Sequence, residues 1–371
     1  MKVALVHDYL HSFGGAEQVL LSFSELFPDA PIYTFIKDLK CFPSGIKEVF
    51  EKKDIRTSMF SKIPVKKSMS KFLVPITKNW FEKLDLSEYD LIISDGTIWS
   101  KGVKTNNSQF HIYYCHTPAR FLYGFPTELG GKRNIPILKS LIKIVENNLR
   151  EWDLITSNNP DVIIANSKNV QDRIKNFWNK ESKLVYPPVN GFSKDLNVKK
   201  QDYYLVVSRL EPYKNVDKVV EAFNLLGWKL KIIGRGSEKV SLKMMANHNI
   251  EFIEGVSREE LEKIYKGAKG IILSAEEEDF GITAIESASV GVPVVALRSG
   301  GFKETVIEGV TGVFYEENSV GSMLEAIKNL DSMEFDSNAI INEVQDKYTK
   351  QKFKVNFMRV VNEVVNINKN L

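Results

Sequence analysis

Two carboxylates with seven residues between them, Glu278 and Glu286, stand in the segment SAEEEDFGITAIESASVGVPVVA, Ser274 to Ala296. An apolar run ends at Ser274, acids follow, and Phe280-Gly281-Ile282 opens a stretch of helical character. Free backbone N–H groups at such a helix start favour an anion or sugar hydroxyls, and Gly281 lets a ligand approach the backbone closely. With Glu278 in the loop and Glu286 one turn into the helix, the two carboxylates fall on one side of a pocket, a grip suited to vicinal hydroxyls. Acids ahead of a helix also complement its dipole, and for Glu276, Glu277 and Asp279 that reading is adopted.

A second group lies in VSRLEPYKNVDKVVEAF, Val207 to Phe223. Arg209 falls just past a strand end and Lys214 five residues later, on a loop before a helix. Two cations at the carboxyl edge of a sheet suit a diphosphate, although two ordinary surface cations would look the same. Gly234-Arg235-Gly236 follows the next strand as a turn able to pass near a nucleotide. Nearer the start, Gly14-Gly15 joins a strand to a helix, where an α/β sheet binds ligands. The third glycine of a dinucleotide fingerprint is missing and no Gly-Lys-Ser/Thr follows, so NAD and ATP are poorly supported. YCHTPARFLY, Tyr114 to Tyr123, sets His116 beyond another strand end. A histidine in such a turn is as readily structural as functional.

Short Val/Ile/Leu runs that alternate with amphipathic segments hold these residues in place, the pattern of a parallel α/β sheet. Strands are expected at Val3–Val6, Leu91–Ser94, His111–Cys115, Val162–Ala165 and Lys183–Tyr186, with helices at about Ala16–Phe27 and Val170–Trp178, the latter capped by Ser167. Pro187-Pro188 and the polar segment Asn190–Asp202 read as a linker. A second alternation then runs through strands at Tyr203–Ser208, Leu230–Ile233, Glu251–Ile253, Gly270–Ser274 and Pro293–Leu297, with helices at Val216–Leu226 and Thr283–Val290, and the chain closes on an amphipathic helix over about Gln351–Asn366. Two sequential βαβ runs imply two Rossmann-like domains with a cleft between them.

The composition agrees: 371 residues, 43% hydrophobic and 26% charged, suit two folded domains rather than a disordered chain. Apolar runs of about half a dozen residues fall far short of the roughly 20 that span a bilayer. The opening MKVALVHDY is a buried strand rather than a secretory signal. Cys41 and Cys115 are too few for a disulfide framework, and the five histidines show no metal-type spacing with them. A cytoplasmic protein is expected.

Taken together, GGAEQVL, YCHTPARFLY, VIIANSKNV, SRLEPYKN, the two spaced glutamates and SGGFKETVIEGVTG (Ser299 to Gly312) resemble glycosyltransferase family 4, the retaining GT-B enzymes. The resemblance runs over most of the chain, and DYYLVVSRLEPYKNVD, EEDFGI and YPPV look most like its O-antigen mannosyltransferase-like branch. It implies an α/β GT-B fold: residues 1–189 as an acceptor-side domain joined by a C-terminal helix of about 351–371 crossing back, and 190–350 as the nucleotide-sugar domain, facing a central cleft. It implies Arg209 and Lys214 on the donor diphosphate, Glu286 on the ribose, and Gly255-Val256 at the base-binding strand end, with Gly234 nearby. Glu278 and the N–H groups of Phe280, Gly281 and Ile282 would meet the transferred sugar, Gly14 and Gly15 the phosphates, and His116 the reacting sugar. Catalytic roles thus fall to His116, Arg209, Lys214 and Glu278. The sequence holds no Asp-x-Asp, the metal motif of the other large glycosyltransferase fold, and neither metal nor cofactor is expected. Glu276 and Glu277 make the sugar-site loop more acidic than the family pattern requires.

The resulting expectation is transfer of mannose from GDP-mannose to a lipid-linked or oligosaccharide acceptor in surface polysaccharide or O-antigen assembly. A UDP-sugar or another GDP-sugar is the alternative donor. An NAD oxidoreductase on the same Rossmann units and an inactive nucleotide-sugar-binding subunit are alternatives of another class. The net charge is only +3, yet Lys52–Lys78 holds eight basic residues and one acid. Cations interleaved there with Met59, Phe60, Phe72, Leu73 and Trp80 suit an anionic membrane surface over residues 52–80, or else a solvated face packed on the first domain. No nucleic-acid-binding fold accompanies the charge.

Overall fold

The computed structural model describes residues 1–62, 74–125, 136–193 and 198–367. The chain divides into two compact units, one of Met1–Tyr123, Pro136–Pro188 and Lys350–Leu371, the other of Gly124–Ile135 and Val189–Thr349.

The first unit is built on a seven-stranded sheet of β1 (Val3–His7), β2 (Ile32–Thr34), β3 (Ile55–Thr57), β4 (Leu91–Gly96), β5 (Phe110–Cys115), β6 (Val162–Ala165) and β7 (Lys183–Leu184). All neighbours are parallel, in the order β3-β2-β1-β4-β5-β6-β7. The central strands β1, β4 and β5 are buried almost throughout, which is why they read as continuous apolar runs. Helices α1 (Gly15–Leu26), α2 (Ser44–Glu51), α3 (Val74–Glu82), α4 (Pro136–Thr156) and α5 (Lys168–Trp178) belong to this unit. Ser167 caps α5, its hydroxyl accepting from the Val170 N–H at 3.0 Å, as its residue type leads one to expect. One apolar layer of the sheet gathers Val3, Leu5, Leu91, Ile93, Ile112 and Tyr114 with Leu20 and Phe23 of α1.

The second unit has a six-stranded parallel sheet: β8 (Tyr204–Val207), β9 (Leu230–Ile233), β10 (Ile250–Ile253), β11 (Gly270–Leu273), β12 (Val294–Leu297) and β13 (Gly312–Tyr315). Its order is β10-β9-β8-β11-β12-β13. Around it run α6 (Val216–Leu226), α7 (Lys239–Met245), α8 (Arg258–Gly267), α9 (Ile282–Ser289), α10 (Phe302–Thr305), α11 (Val320–Ser332) and α12 (Ser337–Val344). The final helix, α13 (Lys350–Ile367), returns to the first unit, where Phe353, Phe357, Val360, Val361 and Val364 enter the α1 side of its core.

In both sheets the order of strands reverses beside the first strand of the unit, between β1 and β4 and between β8 and β11. Neighbouring loops leave such a point in opposite directions, so a crevice opens at the carboxyl ends of those two strands. No helix among the described residues is long and apolar enough to cross a membrane.

The basic stretch is partly absorbed by the first unit. Lys53 Nζ donates to the Ser24 and Pro28 carbonyls at 2.8 and 3.2 Å, and Arg56 bonds Asp54 at 3.0 Å and the Tyr33 hydroxyl at 2.6 Å. Phe60 stacks on Phe35 and Trp80 meets the same ring edge-on, whereas Met59 is exposed. Lys66, Lys67, Lys71, Phe72 and Leu73 lie outside the described residues.

Candidate active site

At the reversal point of the second sheet, β8 and β11 deliver two loops. The first carries Arg209 and, through the tight turn Pro212–Lys214, Lys214; Asn215 completes it with φ of +51°. The second runs from Ser274 to Gly281 and enters α9. Two side-chain bonds tie the loops together: Ser274 Oγ donates to the Lys214 carbonyl at 2.7 Å, and Asn215 Nδ2 donates to the Ser274 carbonyl at 3.2 Å. Lys214 Nζ thereby comes to 2.5 Å from Glu278 Oε2, both side chains being largely shielded from solvent. The Arg209 guanidinium and the Lys214 ammonium lie 5.5 and 5.2 Å from the centroid of the buried Tyr213 ring. Both cations are thus within reach of the same aromatic ring, which favours them electrostatically.

Glycines shape the second loop. Gly281 has φ of +96°, and a Cβ there would come within 2.9 Å of the Phe302 ring and Thr305 Oγ1. Gly300 has φ of +54°, and its Cβ would fall 2.3 Å from the Glu278 carbonyl oxygen, so only glycine lets the two backbones meet. The Gly301 N–H donates to the same carbonyl at 2.7 Å, and the Glu277 N–H donates to Ser299 Oγ at 3.0 Å. SGGFKETVIEGVTG therefore acts first as the support that fixes the backbone of Glu278.

Glu286, on α9, reaches α8 instead. Its Oε1 is 3.4 Å from Arg258 Nη1, and its Oε2 accepts from the Tyr265 hydroxyl at 3.2 Å. Burial raises its pKa above the usual carboxylate value, and Arg258 and Tyr265 oppose that only in part. Arg258 and Tyr265 escaped the sequence reading because their helix carries no motif of its own. Gly234 has a packing reason, since a Cβ there would sit 1.9 Å from the Ser208 carbonyl oxygen. Gly255, with φ of +70°, turns the chain after β10, and Val256 follows half-buried. Phe280 is buried against Tyr348, with ring centroids 5.5 Å apart, and Ile282 begins α9.

At the reversal point of the first sheet Gly14 and Gly15 open α1, and His116 stands just beyond β5, the strand beside β4. The register of β1 and β4 sets His7 opposite Asp95. Asp95 meets His7 Nδ1 with both oxygens at 3.0 Å and His116 Nε2 with one at 3.1 Å. Neither His7 nor Asp95 was singled out from the sequence, because they meet across 88 residues. The signal available was position alone: each stands at the carboxyl end of a buried strand. Among the described residues no cluster of His, Cys, Asp and Glu is arranged to hold a metal ion.

Residues 191–348 match the family model described as glycosyl transferases group 1, nearly the whole of the second unit. Among curated relatives, an uncharacterized glycosyltransferase of Methanocaldococcus jannaschii is 27% identical over 225 residues, covering 56% of this chain and 63% of its own length. The chain thus spans less than two thirds of that relative. An alpha-1,3/1,6-mannosyltransferase of Kluyveromyces lactis is 25% identical, covering 83% of this chain and 71% of its own. Among solved structures, Anabaena HepE in complex with UDP-glucose superposes with a TM-score of 0.65 at 16% identity, over 98% of this chain and 100% of that one. The two Rossmann-like units are those of the GT-B fold.

Proposed function

We propose that the chain is a retaining glycosyltransferase that takes a nucleotide-diphospho-sugar, with mannose from GDP-mannose as the sugar moved and a lipid-linked or oligosaccharide acceptor of surface polysaccharide such as O antigen. The observation that carries the reaction class is the Lys214 ammonium set 2.5 Å from Glu278, on loops cross-tied at the reversal point of a sheet that matches the group 1 family model. The mannose donor rests on the branch resemblance and on the likeness to the Kluyveromyces lactis mannosyltransferase.

In this reading Arg209 and Lys214 face the departing diphosphate. The acceptor hydroxyl oxygen bonds to the sugar C1 on the face from which the diphosphate leaves, the C1–O bond to the diphosphate breaks, and the acceptor proton passes to a diphosphate oxygen. Charge grows on that leaving group, so fixed cations aimed at it lower the barrier more than they tighten ground-state binding. The diphosphate competes with Glu278 for Lys214, and the released carboxylate then accepts from sugar hydroxyls. Glu286 accepts from the ribose. The compensating positive charge comes from side chains, and no metal takes part.

The reading is tested by incubating the protein with GDP-mannose and a prenyl-diphosphate-linked saccharide and reading the anomeric configuration of the product by NMR. A product that keeps the donor's α-configuration is expected. An inverted product, or donor consumption that requires nicotinamide reduction, overturns it. UDP-glucose, the ligand of HepE, is the competing donor in the same assay.

A further inference from the structure

The first unit buries a connected chain of ionisable groups. The Gly14 N–H donates to Glu17 Oε2 at 2.8 Å; Glu17 Oε1 lies 3.8 Å from His7 Nε2; His7 Nδ1 meets Asp95; and Asp95 meets His116 Nε2. His7 is 2% exposed and Asp95 1%. Burying such charges costs several kcal/mol per ion unless each is paired, and here acid and base alternate along the whole chain.

The geometry also assigns the protons. An ionised carboxylate only accepts, so both imidazoles that touch Asp95 donate to it. For His116 this places a proton on Nε2, so that in the neutral ring the lone pair falls on Nδ1. The His116 backbone is held at both sides, its main-chain N–H donating to the Gly96 carbonyl at 3.1 Å and its carbonyl accepting from Asn166 Nδ2 at 2.9 Å, while the Tyr114 ring packs edge-on against the imidazole at 5.3 Å between centroids.

We propose that His7 and Asp95 are positioning residues for His116: the His7 imidazolium keeps Asp95 ionised, and Asp95 holds His116 as the Nε2–H tautomer, with Nδ1 able to accept a hydrogen bond from a hydroxyl of the bound sugar. The last step rests on the glycosyl-transfer reading; the tautomer does not. The shifts agree. Burial alone would lower the His7 pKa, but Asp95 and Glu17 raise it well above its ordinary value; burial would raise that of Asp95, but His7 and His116 hold it down. Glu17 from α1, Tyr114 from β5 and His116 after β5 are the ionisable groups that bear on this pair.

The test is an imidazole NMR spectrum of the ¹⁵N-histidine-labelled protein, with His116 assigned through H116Q, alongside the kcat and KM of transfer against pH. The wild type is expected to show His116 as the Nε2–H tautomer and His7 doubly protonated near neutral pH. Asp95→Asn is expected to move His7 to its neutral form, remove the tautomer preference of His116, and lower kcat about 100-fold with KM little changed; His7→Gln should weaken the His116 tautomer preference and lower kcat in the same direction. An Nδ1–H tautomer for wild-type His116 overturns the proposal, as do variants that keep the wild-type tautomer and pH profile. Should Asp95→Asn fail to fold, His7→Gln and the wild-type spectrum decide. A wild type that transfers no sugar to any acceptor strikes the glycosyl-transfer reading, whereas the spectrum alone then decides the positioning of His116.

Discussion

Glu286 carries a raised pKa and is the residue proposed to hold the ribose, which makes its protonation readable in binding. A raised pKa in an acid means that the folded protein holds the proton more tightly than the unfolded chain. This group therefore favours folding below about pH 4.5, and that contribution is lost as the pH rises through its higher folded value. Ribose hydroxyls are held best by the ionised form. Nucleotide affinity should accordingly fall as the pH drops through its raised value, at a higher pH than an ordinary carboxylate would give. Glu286→Gln should remove that dependence and weaken nucleotide binding about 10- to 100-fold at neutral pH, the worth of hydrogen bonds to a charged group. Calorimetric titration at several pH values checks both. His7, also raised, follows the same sign as Glu286, whereas Asp95, lowered, runs the other way. Their pairing stabilises the fold while both are charged; it is lost as the pH rises through the raised His7 value or falls through the lowered Asp95 value. The sequence made Glu286, Lys214 and Glu278 legible because each stands in a local motif. It left Asp95 illegible, since only the β1–β4 register, a long-range property, brings it to His7.

Elements show the same division between local and long-range information. The central strands were legible as apolar runs, and α1, α5, α6, α9 and α13 as amphipathic periods close to their observed bounds. The three-residue strands β2 and β3, the latter at the sheet edge, and the helices α2, α3 and α4 were not singled out; strands of three residues are too short to display an alternation. Two stability tests belong at this scale. Helix α13 inserts Phe357, with no exposed surface, 4.5 Å from the Phe23 ring of α1, so Phe357→Ala should cost about 3–5 kcal/mol in urea unfolding. Lys101 and Asp153 form a fully buried ion pair that joins the turn Ser100–Gly102 to α4. Trp178 Nε1 of α5 and the Tyr123 hydroxyl both donate to Asp153 Oδ2 at 2.7 Å. Lys101→Met leaves that buried carboxylate without its counter-charge and should cost about 3–5 kcal/mol, whereas the double variant with Asp153→Asn should recover part of the loss. A double variant no more stable than the single one would assign the cost to packing instead.

Over the whole molecule, two units of one architecture each present candidate residues at the reversal point of their own sheet, and this was legible early because both alternations of strand and helix are regular. Charge is less evenly distributed. The basic stretch Lys52–Lys78 gives up Lys53 and Arg56 to bonds within the first unit, and what it offers a membrane rests on Lys66, Lys67 and Lys71. Changing those three to Gln should weaken binding to vesicles containing anionic lipid, with a salt dependence that the variant loses; binding indifferent to both would remove the membrane from the account. The central claim is that the second unit holds a nucleotide-diphospho-sugar through Arg209 and Lys214. Its most direct test is a thermal-shift titration of the full chain and of its Arg209→Ala/Lys214→Ala variant with GDP, GDP-mannose, UDP, UDP-glucose, ADP and NAD. A ligand bound only by the folded state raises the melting temperature by mass action. The account predicts a rise with GDP and GDP-mannose for the wild type and its loss in the variant; a rise with NAD alone, or a GDP response that survives the double substitution, would contradict it.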